Sequence, residues 1–547
     1  MPPALWLCLN LPTLALDALG PWPPGVSLPA LVWQADAGGR TRTVLIANAA
    51  AQALGVQAGQ RLGSAQALAP QALVLARDPA REAALLERLA LGLGSLSPQR
   101  VIEPPDLLLD IHASLRLFGG LRPLLRRADR LVRAQAVQPR WSLASTPLAA
   151  RLLAHAPPAQ RQRRCVQLRS TRRRVLALPL ALLGAWGLPC GATDTERRAA
   201  DGPADAAGVA ARRVAAAHIA TLEMLHALGA RCLADLQRLP RAGLRRRGAQ
   251  DWVDALDRAL GDQPDPRRCH EPPEAFALAL ELPWRADAVP AIEAAAAPLV
   301  QALCGWLALR WRAAQGLSLI LRHDYSSRRS LPDQVLRLDL ATPSREARHL
   351  QTLLREHLQH LVLAAPVDAI TLQLDTSLPE AGRPTTLWPD AHQQAQAHTN
   401  LVDRLQARLG AAQVRRLLPQ ADARPEKADR WVNAGTADAK PLAPHAASRD
   451  ALPALTHALP RPTWLLPAPL PLAEHDGQPL HQGRPLRILS RAERIETGWH
   501  DGALVRRDYH VALGQAGTLC WIYRERGNPA FDDSPAQPRW FLHGLFG

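Results

Sequence analysis

The sequence predicts a multidomain protein of mixed α/β and α+β class that ends in a small C-terminal β module, and three observations carry that reading. The chain has 547 residues, and at roughly 100 to 200 residues per domain it divides into about three to five cores. Strand-like and helix-like segments alternate up to about residue 160 and again from 273 to 378. Short alternating runs that carry tryptophans close the chain, and an apolar share of 47% is enough to bury several cores.

In order, LWLCLNL (5–11) reads as a buried strand. The apolar N-terminus has no basic leading segment and contains Asn10, Pro12 and Asp17, so it reads as a core strand running into a helix and not as a signal peptide. TVLIANAAAQALGVQAGQRLGSAQALAP (43–70) reads as strand, helix, glycine turn and helix. PAREAALLERLALGLGSLSP (79–98) has helical spacing, and VIEPPDLLLDI (101–111) reads as one strand. SLRLFGGLRPLLRRADRLVRAQ (114–135) opens a basic helix, and WSLASTPLAARLLAHA (141–156) is a strand turning into a helix. This alternation marks an α/β domain over 1–165.

Residues 166–270 are mainly helical. Within TLEMLHALGARCLADLQRLPRAGLRRRGAQ (221–250), a helix ends at Gly229, a turn follows, and a second helix leads to Arg245, Arg246 and Arg247 before Gly248. Backbone amides and cations so arranged suit a phosphate backbone, although an ordinary helical hairpin with a solvated basic face reads the same way. Residues 271–378 form a separate α+β domain: FALALELPW, LSLILRHDY, VLRLDL and AITLQLDT as strands, with two intervening helices. Residues 379–480 read as a linker, with a short helix at LVDRLQARLG and a Pro- and Ala-rich stretch, extended or mobile, ending in TWLLPAPLPL. The last segment, 481–547, is a β module packed by Trp499, Trp521 and Trp540.

Lysine plus arginine outnumber the acids 65 to 49, giving a formal charge of +16. A polyanion, nucleic acid first among them, is the favoured partner. Seven cysteines are scattered without a C-x-x-C pair, which disfavours a zinc site or disulfide framework and makes a reducing cytoplasm the expected compartment. No uninterrupted apolar run of about 18 residues occurs, so no membrane span or membrane partner is expected.

The order of segments resembles the Y-family translesion DNA polymerases over residues 4–378, as palm and fingers, thumb and little finger. Four stretches carry the resemblance: CLNLPTLALD (8–17) at the D-x-D-x-F-[FY]-A-S-V-E motif, ANAAAQALGVQAG (47–59) at the fingers motif, EPPDLLLD (103–110) at S-x-D-E-x-[YF]-L-D, and ASTPLAAR (144–151) at S-x-N-K-x-x-A-K. The resemblance implies a two-metal polymerase site, yet its polar positions are substituted. Cys8 and Asn10 stand at the two aspartates of the first motif, Pro105 at the aspartate of the second, and Asp106 at its glutamate. The triphosphate-binding tyrosine and arginine correspond to Ala49 and Gln52, and the palm lysine to Pro147. One carboxylate does not hold two hard dications that each prefer several oxygens. No catalytic residue, metal or cofactor is therefore expected.

The start LWLCLNLP, the stretch LLLDIHASLRLFGG, and the tail segments ERIETGWHDGALVRRDYHVA, WIYRER and RWFLHGLFG resemble the ImuB-type, catalytically degenerate branch of that family. This implies a non-catalytic adaptor in damage-induced error-prone synthesis. Its implied partners are primer-template DNA, the sliding clamp, a RecA-like ImuA protein and an error-prone C-family DNA polymerase. The clamp-binding peptide of such proteins maps onto PTTLW (384–388), where Leu387 and Trp388 supply the apolar pair. The alternative is a divergent active polymerase that uses Asp106, Asp110 and an unrecognised third ligand.

Overall fold

The structure, a computed structural model, describes residues 4–20, 28–36, 39–157, 164–188, 204–323, 332–380, 391–420, 422–434, 460–514, 517–526 and 539–547. The chain divides into two units, residues 1–400 and 401–547.

The first unit begins with β1 (Trp6–Asn10) and α1 (Leu14–Asp17), followed by β2 (Ala30–Ala35), β3 (Arg42–Ala47), α2 (Ala49–Ala53), α3 (Leu62–Leu68) and β4 (Leu73–Ala76). Next come α4 (Pro79–Gly92), β5 (Arg100–Glu103), β6 (Asp106–Asp110), α5 (Leu121–Arg133), β7 (Arg140–Ala144) and α6 (Pro147–Ala154). An antiparallel sheet of order β5-β6-β1-β7 occupies the region expected as the palm and is called the palm sheet below, and β3-β2-β4 makes a smaller sheet. Strand alternation sorts the palm side chains between two cores. Leu7, Leu9, Leu107 and Leu109 join Leu86 and Leu89 of α4 and Leu124 and Ala128 of α5, whereas Cys8 and Leu108 join Leu148 and Leu152 of α6.

The stretch expected as one strand at 101–111 is instead a hairpin, β5 and β6, turned at Pro104–Pro105. Two successive residues without N–H groups cannot continue a ladder, so the chain reverses there. Glu103 consequently pairs with Asp106 across the turn, and Asp106 pairs with Asn10 of β1.

The helical region contains α7 (Leu168–Leu176), α8 (Leu180–Trp186), α9 (Ala204–Ala227), α10 (Leu233–Arg238), α11 (Arg241–Arg246) and α12 (Gln250–Leu260). The second helix expected after Gly229 is two short helices, because Pro240 removes a donor and Leu239 is extended at ψ 145°. Trp252, 1% exposed, and Leu256 of α12 anchor this region to the core shared with α6.

A second antiparallel sheet, of order β10-β9-β11-β8, comprises β8 (Ala277–Ala286), β9 (Arg312–His323), β10 (Gln334–Ser344) and β11 (Val367–Pro379). Two helices, α13 (Val289–Leu309) and α14 (Ala347–Gln359), accompany it. Helix α13 is long and apolar enough to cross a membrane, which a search for an unbroken apolar run overlooks because Glu293 and Gln301 interrupt it. It is a core helix here, with 61% of its most apolar window buried. Gly305 lets it approach α4 so closely that a Cβ would overlap the Leu91 carbonyl.

Helix α15 (Ala391–Leu409) runs through the division into the second unit, which holds β12 (Arg415–Pro419), β13 (Asp429–Asn433), β14 (Trp464–His475) and β15 (Gln478–His481). It continues with β16 (Arg484–Pro485), β17 (Arg487–Ile488), β18 (Glu493–Thr497), β19 (Val505–Leu513), β20 (Leu519–Glu525) and β21 (Trp540–Leu545). The stretch TWLLPAPLPL, expected as part of the linker, instead supplies β14, which pairs with β21. Two of its three prolines, Pro467 and Pro469, fall where the register breaks between Leu465 and Leu470, while Pro471 lies in register opposite Phe541. The β module thus starts near residue 460 and not at 481. Trp521 and Trp540 are buried, but Trp499 is 81% exposed, in the turn that leaves β18 at Gly498. The clamp-peptide residues Leu387 and Trp388 lie outside the described residues.

Candidate functional site

The β5–β6 hairpin, β1 and α6 bring Asn10 and Asp106, two of the positions singled out in the sequence, together with Arg151 and His155. Asp106, first in β6 and fully buried, is the centre. Its Oδ1 accepts from Asn10 Nδ2 at 2.9 Å. Its Oδ2 accepts from Arg151 Nε at 2.8 Å, and His155 Nε2 lies 2.9 Å from the same oxygen. Thr146 caps α6 by accepting from Ala149 N–H, and the helix carries Arg151 and then His155 one turn later on the face toward the hairpin. The Trp186 ring at the end of α8 stacks on His155 at 3.7 Å and lies under the Arg151 guanidinium at 5.6 Å.

The network extends outward. Arg151 also donates to Glu103 Oε2 at 2.7 Å, and Glu103 Oε1 receives Arg267 at 2.5 Å. Arg267 in turn holds Asp265 at 2.9 Å, whose carboxylate accepts the Leu148 N–H near the start of α6. Three carboxylates and two guanidinia are thereby tied between the palm hairpin, α6 and the segment that follows α12. Burial lowers Arg267, but the attraction and hydrogen bonds of Asp265 and Glu103 outweigh it and leave its guanidinium above the ordinary arginine range.

Cys8 is wholly buried beside Leu108, and its thiol is pushed well above the ordinary range, by burial first and by the Asp106 charge second. It is therefore an apolar filler and not a thiolate ligand. Pro105 sits in the turn, where its carbonyl accepts from Leu11 N–H. Asp110 does not join the site: its Oδ1 accepts from His112 N–H at 3.0 Å and fixes the following turn.

These residues do not fit the pair of Mg²⁺ ions that polymerase chemistry uses. Both oxygens of Asp106 face nitrogen donors, and a dication would have to displace the Arg151 guanidinium from a buried carboxylate. Among the described residues, no group of three or more His, Cys, Asp or Glu side chains is placed to hold a metal. Of the nucleotide-handling positions, Ala49 opens α2, Gln52 Nε2 donates back to the Ala47 carbonyl, and Pro147 is buried at the first turn of α6. None offers a cation to a triphosphate.

Sequence reasoning identified Cys8, Asn10, Pro105 and Asp106 but missed Arg151, His155, Glu103, Trp186 and Arg267. The usable signal was the four-residue spacing of Arg151 and His155 directly after the palm strand.

In the helical region, Gly229 (φ +86°) follows α9 and Gly248 (φ +76°) follows α11, each in the left-handed conformation that glycine adopts most readily. Arg245, Arg246 and Arg247 are exposed and make no ion pair among the described residues. Arg241, by contrast, is spent on Asp257, with contacts of 2.7 and 2.8 Å.

The family model described as the impB/mucB/samB family matches residues 27–155. Two relatives called Protein ImuB, from the NA1000 / CB15N and ATCC 19089 / CIP 103742 / CB 15 strains of Caulobacter vibrioides, are each 26% identical over 514 residues, which is 90% of this chain and 100% of the relative. Similar solved structures include DinB from Sulfolobus solfataricus, at 14% identity over 69% of this chain and 100% of that one, with a TM-score of 0.33. An insertion ternary complex of Dbh DNA polymerase is 15% identical over 68% of this chain and 98% of that one, with a TM-score of 0.35.

Proposed function

Because the chain is an ImuB-like homologue of the Y-family DNA polymerases, we propose that it is a DNA-binding adaptor for error-prone translesion synthesis in the cytoplasm, with no polymerase chemistry of its own. Asp106 carries this reading. The surviving carboxylate is satisfied internally by Asn10, Arg151 and His155, so the palm keeps its shape with a buried ion pair where the polymerase needs open oxygen ligands.

The remaining parts have distinct tasks in this proposal. Arg245, Arg246 and Arg247, at the turn closed by Gly248 and near the Gly229 turn in sequence, grip the phosphates of a primer-template. Leu387 and Trp388 dock on the sliding clamp. The C-terminal β module binds the RecA-like ImuA protein and the error-prone C-family polymerase that performs synthesis.

Reconstitution tests the division of labour. A purified C-family polymerase is assayed on a damaged template with the clamp, with and without this protein. Asp106→Ala is expected to retain full stimulation of bypass, while removal of residues 460–547 abolishes it. Stimulation that disappears with Asp106→Ala in a correctly folded protein would overturn the proposal. For the clamp peptide, Leu387→Ala with Trp388→Ala is expected to lose clamp pull-down, and equal recovery removes that assignment.

A further inference from the structure

The face of the palm sheet turned away from Asp106 carries a feature that polymerase chemistry does not use. Trp141 of β7 pairs with Leu9 and shares its core, so it stands on the opposite side of the sheet from Asn10 and Asp106. There, between α5 and the edge strand β7, lies a cavity of about 610 Å³ lined by Arg122, Leu125 and Arg126 of α5, by Trp141, and by Arg164. Arg122, Arg126 and Arg164 are exposed and make no ion pair among the described residues. The lining carboxylate, Asp129, is already neutralised by Arg133 at 2.7 Å. The half-buried Trp141 and Leu125 form an apolar floor beneath the guanidinia.

We propose that this groove is a second nucleic-acid site that holds a single strand, with phosphates on Arg122, Arg126 and Arg164 and a base stacked against Trp141. Arg122 and Arg126 are one turn apart on α5, about 6 Å along its axis, and so track a backbone instead of gripping one isolated anion. Three guanidinia beside an indole form the pairing of cationic track and stacking platform that single strands bind. A double helix is too wide for a cleft of this size. An acidic peptide would satisfy the guanidinia but offer no planar partner to Trp141. The site does not depend on the adaptor reading, because it lies on the other face of the sheet from Asp106 and would serve an active polymerase equally.

The test is fluorescence anisotropy of a labelled oligothymidylate against the full chain, made in the Arg245→Glu, Arg246→Glu, Arg247→Glu background so that the thumb contact is absent. Adding Arg122→Glu and Arg126→Glu is expected to weaken binding at least about tenfold and to flatten the plot of log K against log salt by about 1.4, the value for two lost single-strand phosphate contacts. Trp141→Ala is expected to weaken binding without changing that slope, and ultraviolet cross-linking of the oligomer should map to the β7 peptide. Arg122→Lys with Arg126→Lys, which keeps the charge, should retain most of the affinity, with circular dichroism reporting that each variant folds. Unchanged affinity and slope in the folded Arg122→Glu, Arg126→Glu variant overturns the proposal. So does displacement of the oligomer by polyglutamate as effective, per charge, as displacement by unlabelled oligothymidylate, which would assign the groove to an acidic peptide.

Discussion

Arg151 is the residue on which the palm's internal balance turns, because its partner Asp106 is fully buried and Arg151 itself is only 16% exposed. Removing one member of a buried pair leaves an uncompensated charge, so Arg151→Met is expected to cost about 3 kcal/mol of the first unit's stability, measured by urea unfolding. Cys8, Asn10 and Pro105 could be singled out residue by residue, since the resemblance sets each against a side chain that a motif specifies. Arg151 and His155 were not, because their meaning depends on a carboxylate more than forty positions away. Two buried groups give pH dependences of opposite sign. Burial lowers His543 in the second unit from 6.5 to about 4. Its unfolded form therefore binds the extra proton between those values, and stability is full above about 6.5 and lost as the pH falls toward 4. Burial raises Asp17 in the first unit from 3.8 to about 6, against a hydrogen bond from Thr13. The folded form holds that proton, so its contribution is full below 3.8 and lost as the pH rises through 6. Between pH 4 and 6, acidification should weaken the second unit and strengthen the first through these groups. Thermal unfolding of His543→Gln and Asp17→Asn should remove the respective slopes.

At the scale of elements, most of the expected strands and helices follow from local patterning, as in DLLLD, whose three consecutive leucines are buried on both faces of the sheet, or α5 with its basic outer face. Three of the misreadings share one cause, proline. Pro104 and Pro105 turn an expected strand into a hairpin, Pro240 divides an expected helix, and the prolines of β14 disguise a sheet strand as a linker. In each case, the outcome depends on whether a neighbouring element needs the missing N–H, which a single segment does not reveal. The packing of α13 on α4 is likewise tertiary. Gly305→Ala would press a methyl into the Leu91 carbonyl, between two backbones that cannot give way as a flexible side chain would. Its expected cost is about 3 kcal/mol, read as a lower urea midpoint with an unchanged slope.

For the molecule as a whole, the second unit extends beyond the tail that sequence patterning marked out. Residues 481–547 lack β14, the partner of β21, and so expose a sheet edge. That fragment is expected to aggregate or stay unfolded, whereas 401–547 should give a dispersed amide spectrum. The resemblance could be drawn from the sequence because four stretches fall in order along one chain, while the ion-pair network became visible only when the hairpin, α6 and the segment after α12 were assembled. The most direct test of that closed site is primer extension by the purified full chain on an undamaged primer-template with Mg²⁺ or Mn²⁺. No incorporation above background is expected, and Asp106→Ala should be indistinguishable from the unaltered protein. Robust template-directed incorporation that Asp106→Ala abolishes would contradict the account.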